Sequence, residues 1–172
     1  MIIIRDSEKW KHWVAIIDNR ICILCKERHG TIYAIDEVVK PPPPLHFGCR
    51  CRIERLKSLF AGEATTKGTD GADWHLKYNA KLPGYYLSRN DSSKLGWNPR
   101  KNSLDMVAKN HMIFGGQYFN KNGHLPSEKG RVWYEADINY VSGKRNSERL
   151  LFSNDGLMFV TYDHYATFVE VR

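Results

Sequence analysis

Hydrophobic and polar positions alternate along residues 130–149, and this alternation predicts two β-strands joined by a tight turn. Side chains repeat every two residues along a strand, so Glu135 and Asp137 share one face of the first arm. On the second arm, Arg145 and Arg149 share a face for the same reason. Whether the carboxylates meet the guanidinium groups depends on the length of the turn.

A three-residue loop over residues 141–143 is the turn we predict, because its last position is a glycine that tolerates the left-handed conformation. It pairs Glu135 with Arg149 and Asp137 with Ser147, whereas a two-residue loop would put Arg149 on the opposite face from Glu135. The pattern therefore predicts two carboxylates among arginines on one sheet face. An exposed ladder of ion pairs, which contributes about 1 kcal/mol or less, is the alternative interpretation.

Elsewhere the apolar spacing predicts helices before strands. Trp10 and Trp13 recur at helical spacing after Ser7, a residue type that caps helices. A strand is expected over residues 31–35, and strands and turns follow from Ile113 onward. Helices followed by an antiparallel sheet give the α+β class. The predicted helices cover residues 8–18, 72–80, 89–95 and 103–108.

Composition divides the chain into two units. All four cysteines lie between Cys22 and Cys51, and residues 60–71 combine small polar residues with glycines in the manner of a linker. We therefore predict a cysteine-containing unit over residues 1–59 and a second unit over residues 72–172. The formal net charge of +7 favours a polyanionic partner, and no stretch of 18 apolar residues is present to span a membrane.

The cysteines occur as two pairs, Cys22 with Cys25 and Cys49 with Cys51, which is typical of a tetrahedral zinc site. His46 is an alternative ligand because the Cys-x-Cys spacing is less usual. A disulfide or redox pair, and plain thiols, are the other interpretations. A zinc ion held by four thiolates would be structural, since no coordination position is left for a substrate.

The first unit contains a set of residues at characteristic spacing: Asp18, Arg20, Cys22, Cys25, Gly30, the proline run 41–44, His46, Cys49, Arg50 and Cys51. Over about 50 residues this set resembles the cysteine-containing end of phage Mu F-like minor head proteins. The resemblance implies an attachment or packaging module and does not imply an active site.

The second unit contains a series of short motifs in this order: Ala72-Asp73-Trp74, Lys81-Leu82-Pro83, Leu95-Gly96-Trp97, Gly115-Gly116, Glu135-Ala136-Asp137-Ile138-Asn139-Tyr140 and Asp163-His164-Tyr165. In these motifs it resembles the barnase-like, guanyl-preferring microbial ribonucleases. The resemblance implies their fold, in which N-terminal helices pack on an antiparallel sheet, and their activity as endoribonucleases.

This resemblance implies a catalytic set that needs no metal cofactor. Glu135 would take the 2′-hydroxyl proton and His164 would protonate the leaving 5′-oxygen, giving a 2′,3′-cyclic phosphate. Arg145 and Arg149 would bind the phosphate, with flanking arginines keeping Glu135 ionised. Arg89 stands where the family usually has a lysine, at the start of a predicted helix.

Base recognition is where the chain departs from the family. Relatives have Phe-Ser-Asn-Arg-Glu-Gly after the double glycine, whereas this chain has Phe119, Asn120, Lys121, Asn122 and a glycine, one residue shorter and without the glutamate. We therefore expect relaxed or altered base preference, with a purine held by backbone groups of residues 119–122.

Supporting roles complete the expected site. Tyr165 either stacks on a base or packs on the sheet, and Asp137 orients the arginines. The family resemblance further implies an ion pair between Arg131 and Asp155.

The two resemblances together predict a toxin module of a bacterial or phage-associated toxin–immunity system. Such a polymorphic toxin would be secreted or delivered by an unknown route and would act in the cytoplasm of a target bacterium. Its partners would be RNA and a barstar-like acidic immunity protein. The alternative function is a zinc-containing phage-head or delivery binding protein with an inactive nuclease-like domain.

Overall fold

The computed structural model describes residues 3–172, so Met1 and Ile2 of the predicted first unit lie outside the described residues. Helices and strands alternate irregularly along the chain, and short 3-10 turns occur at Gly68–Asp70 and Leu104–Met106. The elements are β1 Arg5–Val14, α1 Ile23–Arg28, β2 Ile32–Ala34, β3 Arg52–Leu59, α2 Ala72–Asn79, β4 Tyr86–Ser88, α3 Arg89–Lys94, β5 Met112–Tyr118, β6 Trp133–Asp137, β7 Arg149–Ser153, β8 Met158–Thr161 and β9 Val169–Val171.

In the part of the chain that the structure describes, nine strands form one sheet in the order β2-β1-β3-β9-β8-β7-β6-β5-β4. The pairs β3–β9 and β4–β5 are parallel, and the other neighbours are antiparallel. The α+β class is confirmed. The sheet is mixed rather than purely antiparallel, because its two parallel pairs join strands that are far apart in sequence or separated by a helix.

The predicted helix over residues 8–18 is wrong, since β1 occupies this part of the chain. Ser7 does accept hydrogen bonds from the N–H groups of Lys9 and Trp10, as a helix cap would. These bonds stabilise a bulge at which the β1–β3 register shifts between Asp6 and Lys11. From Asp6 to Lys11 strand β1 advances five residues while β3 advances two, so three residues of β1 are unpaired and the period-two alternation is broken. The apolar positions of this strand therefore imitate helical spacing.

The predicted helices of the second unit are largely confirmed. Helix α2 ends at Ala80, which has the left-handed conformation (φ 53°), and the Ser88 hydroxyl caps α3 by accepting from the Asp91 N–H. The helix predicted over residues 103–108 is only the 3-10 turn at Leu104–Met106.

The connection between β6 and β7 is longer than the predicted three-residue loop. Strand β6 ends at Asp137 and β7 begins at Arg149, with Asp137 paired to Arg149 and Glu135 paired to Leu151. Asn139 ends the strand pattern, because its φ of 56° is left-handed and its side-chain oxygen accepts from the Thr66 N–H at 2.8 Å. Contacts distant in sequence therefore replace the tight turn that the local pattern favours.

The two predicted units share one sheet and are joined by a common core cluster. Strand β3 pairs with β9, and a core cluster contains Ile32 and Leu56 from the first unit together with Leu151 and Phe159 from the second. These apolar side chains are 4% exposed or less, so the burial of each unit depends on the other.

Residues 60–71 are packed rather than free to move as a tether. Ala61 and Ala64 are buried in a core cluster, and the Asp73 carboxylate accepts hydrogen bonds from the N–H groups of Gly62 and Ala64. Polar composition suggested a linker, but these backbone donors find a buried carboxylate from α2. The boundaries 1–59 and 72–172 stay a prediction. Among the described residues, no helix has the length and apolar character needed to cross a membrane.

Candidate active site

A bulge in β5 makes space for the Glu135 carboxylate. The β5–β6 register shifts between Phe114 and Gly116, so Gly115 is the extra residue opposite Glu135. A Cβ atom at Gly115 would lie 2.6 Å from Glu135 Oε1. The missing side chain is therefore a requirement for the observed position of this carboxylate, whose side chain is 15% exposed.

Glu135 is held by a tyrosine and faces an arginine. The Tyr165 hydroxyl donates to Glu135 Oε2 at 2.5 Å, and Arg89 Nη2 lies 3.7 Å from Oε1. Tyr118 stacks on Tyr165 with ring centroids 5.3 Å apart. Burial, followed by the contact with Glu135, raises the pKa of Tyr165 well above its usual range, so the phenol remains a hydrogen-bond donor.

Asp137 binds both arginines of the predicted hairpin. Arg145 donates to it through Nε at 2.7 Å, and Arg149 Nε lies 3.1 Å from its Oδ1. The hydrogen bond to Asp137 is the main reason that the pKa of Arg145 is raised, and Glu135 and Tyr165 add to the effect. The shared face of Glu135, Asp137 and Arg149 was predicted correctly, but the direct pairing of Glu135 with Arg149 is wrong by two residues along β7.

His164 lies on an exposed turn after β8. Its backbone is left-handed, with φ of 58°, and its N–H donates to the Ser147 carbonyl at 3.2 Å. Asp163 closes this turn by accepting from the Thr161 hydroxyl and the Thr167 N–H. Burial opposes ionisation of Asp163, but hydrogen bonds, first from the Thr167 hydroxyl and N–H and then from the Thr161 hydroxyl, prevail and lower its pKa. The turn places the His164 ring 4.9 Å from the ring of Tyr165.

The predicted base-recognition residues line a cavity of about 380 Å³. The Asn120 side chain shapes this loop, because its Nδ2 donates to the Leu125 carbonyl at 2.8 Å and its Oδ1 accepts from the Leu125 N–H at 3.0 Å. Glu135 lines the same cavity as this loop. Its lining consists of Gln117, Tyr118, Phe119, Asn120, Lys121, Asn122, Glu135 and Tyr165.

Arg145 opens onto a different cavity. Together with Lys101 and Lys144 it lines a space of about 570 Å³ next to the 3-10 turn at Leu104–Met106. The Arg145 side chain is 23% exposed, whereas that of Arg149 is 6% exposed. The two arginines thus differ in access to solvent, although Asp137 holds both.

Three contributors to the site do not follow from the sequence pattern. Gly115 enters only through a family motif, Tyr118 is not among the predicted site residues, and the hydrogen bond from Tyr165 to Glu135 is not predicted. A double glycine inside a strand pattern is a signal for a bulge and could have indicated the close approach at Gly115. The Arg131–Asp155 ion pair, in contrast, is confirmed, with Arg131 Nη2 2.9 Å from Asp155 Oδ2.

The cysteines of the first unit lie together with His46. Cys22, Cys25 and His46 form one group of donor atoms within 4.8 Å of one another, and Cys25, Cys49 and Cys51 form a second. All four cysteines are free thiols. The Cys25 and Cys49 sulfur atoms are 3.6 Å apart, close to the spacing of about 3.8 Å that two thiolates take on a tetrahedral zinc ion. This donor set fits a metal ion, with five donors for four positions.

His46 is oriented as a metal ligand would be. Its Nδ1 lies 2.9 Å from the Phe47 carbonyl and must donate to it, which leaves Nε2 as an acceptor. Nε2 lies 3.1 Å from the Cys22 sulfur and 3.3 Å from the Cys25 sulfur. Burial opposes ionisation of the Cys49 thiol, but hydrogen bonds with the backbone of Cys51 and Leu45 lower its pKa to about 6. A thiolate at Cys49 suits a cation.

Comparison with known proteins gives two family matches, one near each end of the chain. Residues 5–54 match the family described as Phage Mu protein F like protein. Residues 70–172, more than half of the chain, match the ribonuclease family.

Individual relatives carry the same description. A ribonuclease of Heyndrickxia coagulans is 48% identical over 101 residues, which cover 59% of this chain and 92% of that protein. Ribonucleases of Bacillus intermedius and Bacillus pumilus are each 48% identical over 101 residues, and the match spans 62% of their length. Through residues 70–172 this chain belongs to the ribonuclease family.

Proposed function

We propose that the chain is an endoribonuclease that cleaves single-stranded RNA through the 2′-hydroxyl group, without a metal ion in the reaction. The observation that carries this proposal is the position of Glu135, a carboxylate between Tyr165 and Arg89 at the edge of the cavity of about 380 Å³. A base, an acid and positive charge near the phosphate are the groups that this chemistry requires.

In the proposed reaction Glu135 accepts the proton of the 2′-hydroxyl while the 2′-oxygen forms a bond to phosphorus. The bond from phosphorus to the 5′-oxygen breaks, and His164 donates a proton to that oxygen. The products are a 2′,3′-cyclic phosphate and a free 5′-hydroxyl. The Tyr165 hydroxyl fixes one carboxylate oxygen of Glu135, which leaves the other to take the proton.

Positive charge for the phosphate comes from Arg89, Arg145 and Arg149 in this proposal. Asp137 fixes the last two, so their guanidinium groups are oriented before substrate arrives. Arg89 is half exposed and begins α3, where the backbone N–H groups of the first turn also favour an anion.

The test is cleavage of short single-stranded RNAs by the intact chain in EDTA. We expect a 2′,3′-cyclic phosphate by mass spectrometry, and rates about 10²–10⁴-fold lower for Glu135→Gln and His164→Ala. An oligonucleotide with 2′-deoxyribose at the cleaved nucleotide is the control and should remain intact. Circular dichroism in EDTA shows whether the chelator also unfolds the first unit. Absence of cleavage by the folded intact chain would refute the proposal.

Base preference in this proposal is relaxed compared with a guanine-specific enzyme. The loop over residues 119–122 has no carboxylate to accept hydrogen bonds from guanine, so backbone groups and the Phe119 ring, which is 69% exposed, would contact the base. The same RNAs, varied only at the base before the cleaved bond, measure this. Cleavage restricted to guanosine would contradict it.

A toxin role and a structural zinc ion complete the proposal. A ribonuclease endangers its producer, so we propose an acidic, barstar-like immunity protein as partner and a target-cell cytoplasm as the place of action. The net charge of +7 suits electrostatic capture by such a protein. Growth of host cells that express the chain with and without the neighbouring gene product is the check.

The zinc ion would be held by Cys22, Cys25 and Cys49, with Cys51 or His46 as fourth ligand.

A further inference from the structure

The first unit contacts the base-recognition loop through His124. This histidine lies two residues after the loop, which covers residues 119–122, and it is 9% exposed. Its Nε2 lies 3.0 Å from the carbonyl oxygen of Glu27, in helix α1. A carbonyl only accepts hydrogen bonds, so Nε2 carries the proton and donates it to the first unit.

The other side of the His124 ring contacts the loop. Its Nδ1, which has no proton in this tautomer, accepts from Asn122 Nδ2 at 3.1 Å. The amide orientation of Asn122 is fixed by a second contact, because its Oδ1 lies 3.3 Å from the His124 N–H. Asn122 lines the cavity that contains Glu135. One imidazole therefore connects the backbone of α1 to a wall of that cavity.

Backbone and apolar contacts reinforce the same connection. The Ile32 N–H, at the start of β2, donates to the His124 carbonyl at 2.8 Å. Leu125, the next residue, is 1% exposed and packs in a core cluster with Ile32 and Leu56. The end of the loop is therefore embedded between the two units.

The first unit also contacts the turn that contains His164. Gly30 lies between α1 and β2 with φ of +82°, and a Cβ atom on it would be 2.3 Å from the Ala166 carbonyl oxygen. Ala166 follows His164 and Tyr165 in the same turn. A side chain at Gly30 would have to displace this turn, since the contact is with backbone.

We propose that residues 27–32 of the first unit position two walls of the Glu135 cavity, the base-recognition loop through His124 and the His164 turn through Gly30. His124 is a positioning residue in this proposal and touches no substrate. The inference rests on the proposed ribonuclease activity for its functional consequence. Because backbone groups of the loop would contact the base, the place of that backbone decides base preference.

The first measurement needs no activity. Amide hydrogen exchange is followed in the full chain for His124→Ala and Gly30→Ala. We expect exchange to increase about tenfold over residues 119–125 in His124→Ala and over residues 163–167 in Gly30→Ala. Gly130→Ala is the matched control for Gly30→Ala, because Gly130 has nearly the same φ of +81° and nothing within 4 Å of its added Cβ. His111→Ala is the control for His124→Ala, since the His111 ring is 2.9 Å from the carbonyl of Lys109, two residues earlier, and makes no hydrogen bond to a distant element among the described residues.

Unchanged exchange in these two segments would overturn the proposal whether or not RNA is cleaved. If His124→Ala unfolds globally, His124→Gln takes its place. Its side-chain amide retains a donor for the Glu27 carbonyl, so we expect wild-type protection of the loop from this variant. A loop that exchanges as fast in folded His124→Gln as in the unfolded chain would count against the role of His124.

The second measurement is steady-state cleavage of RNAs that differ at one base. For His124→Ala we expect KM to rise about tenfold and the ratio of kcat/KM between bases to change, with kcat nearly constant. His124→Gln should restore both. A fall in kcat alone, with KM and base ratio unchanged, would show that His124 only stabilises the fold. Lack of cleavage by the wild type would refute the proposed function and leave the exchange result to decide the positioning role.

Discussion

The hydrogen atom that replaces a side chain at Gly115 determines where the Glu135 carboxylate can lie. A methyl group would be 2.6 Å from Glu135 Oε1 and must displace it. We expect Gly115→Ala to lower kcat/KM about 10²-fold, because a general base that has moved by a fraction of an ångström loses alignment with its proton. RNA cleavage under subsaturating substrate measures this.

Gly84→Ala is the control for this substitution. Gly84 also lacks a left-handed φ, and an added Cβ would meet nothing within 4 Å. Both variants change unfolded-chain entropy in the same way, so the difference between them reports on crowding. Equal activity of the two variants would show that Glu135 tolerates displacement or does not act in the reaction.

At the scale of single residues, strand periodicity placed Glu135 and Arg149 on one face, and the structure agrees. The contact between Tyr165 and Glu135 could not be predicted in this way. Tyr165 follows His164 in a turn where both residues have positive φ, and such a turn has no repeating pattern from which a side-chain direction follows.

At the scale of elements, the end of β6 contributes a buried carboxylate that binds two guanidinium groups, one from the β6–β7 connection and one from the start of β7. The Asp137 side chain is 2% exposed and contacts both Arg145 and Arg149. Removing its charge leaves both guanidinium groups without this partner, and that of Arg149 is only 6% exposed. We expect Asp137→Asn to destabilise the fold by about 3 kcal/mol, measured as the free energy of unfolding in urea.

Asp155→Asn provides the comparison, since it also removes the carboxylate of an arginine pair. Its carboxylate is 43% exposed, so the loss should stay below about 1 kcal/mol. If the two substitutions cost the same, burial of Asp137 does not determine the strength of its ion pairs.

The β1 strand and the β6–β7 connection show where element prediction fails. In β1 a bulge at Ser7 breaks the alternation on which strand prediction depends. In the connection, Asn139 bonds to Thr66, and Tyr140 donates to the Asp105 carboxylate at 2.8 Å. Those partners are distant in sequence, so no local window contains the information that excludes a tight turn. Helix α3, whose cap and stop signals are local, was predicted almost to the residue.

At the scale of the whole molecule, the cysteines belong to a small core cluster that contains residues of the first unit alone. That core is a cluster around Trp13 and Cys25. A small core needs a staple, so we expect purified protein to contain about one zinc ion per chain and Cys22→Ser to lose it. The thermal midpoint should fall by roughly 10 °C, the shift for a loss of about 3 kcal/mol in a chain of this length.

The fourth ligand is found by comparing His46→Ala with Cys51→Ser. The variant that loses zinc identifies the ligand, and the other should retain nearly all of it. Metal content by mass spectrometry of the intact protein is the measurement. Wild-type protein without metal, and with a midpoint insensitive to chelator, would contradict a structural zinc site.

Two units were predicted from cysteine content and family motifs, but their union in one sheet was not. The β3–β9 pairing involves Leu59 and Val171, and the burial of Ile32 depends on Leu151 and Phe159. Each of these residues fits the core of a separate unit equally well by type. Only the folded chain shows that the two units bury these residues in a shared cluster.

The parallel pairing of β3 with β9 leads us to expect a particular order of folding steps. The two strands lie far apart along the chain, and closing so long a loop carries a large entropic cost before any contact offsets it. The strands of the ribonuclease unit, β5 to β9, are close in sequence and can pair first. We therefore expect the first unit to reach its place after β9 has joined them and the contacts at His124 and Gly30 to form late. On this order of folding, the sheet of a newly made chain precedes the final shape of its cavity.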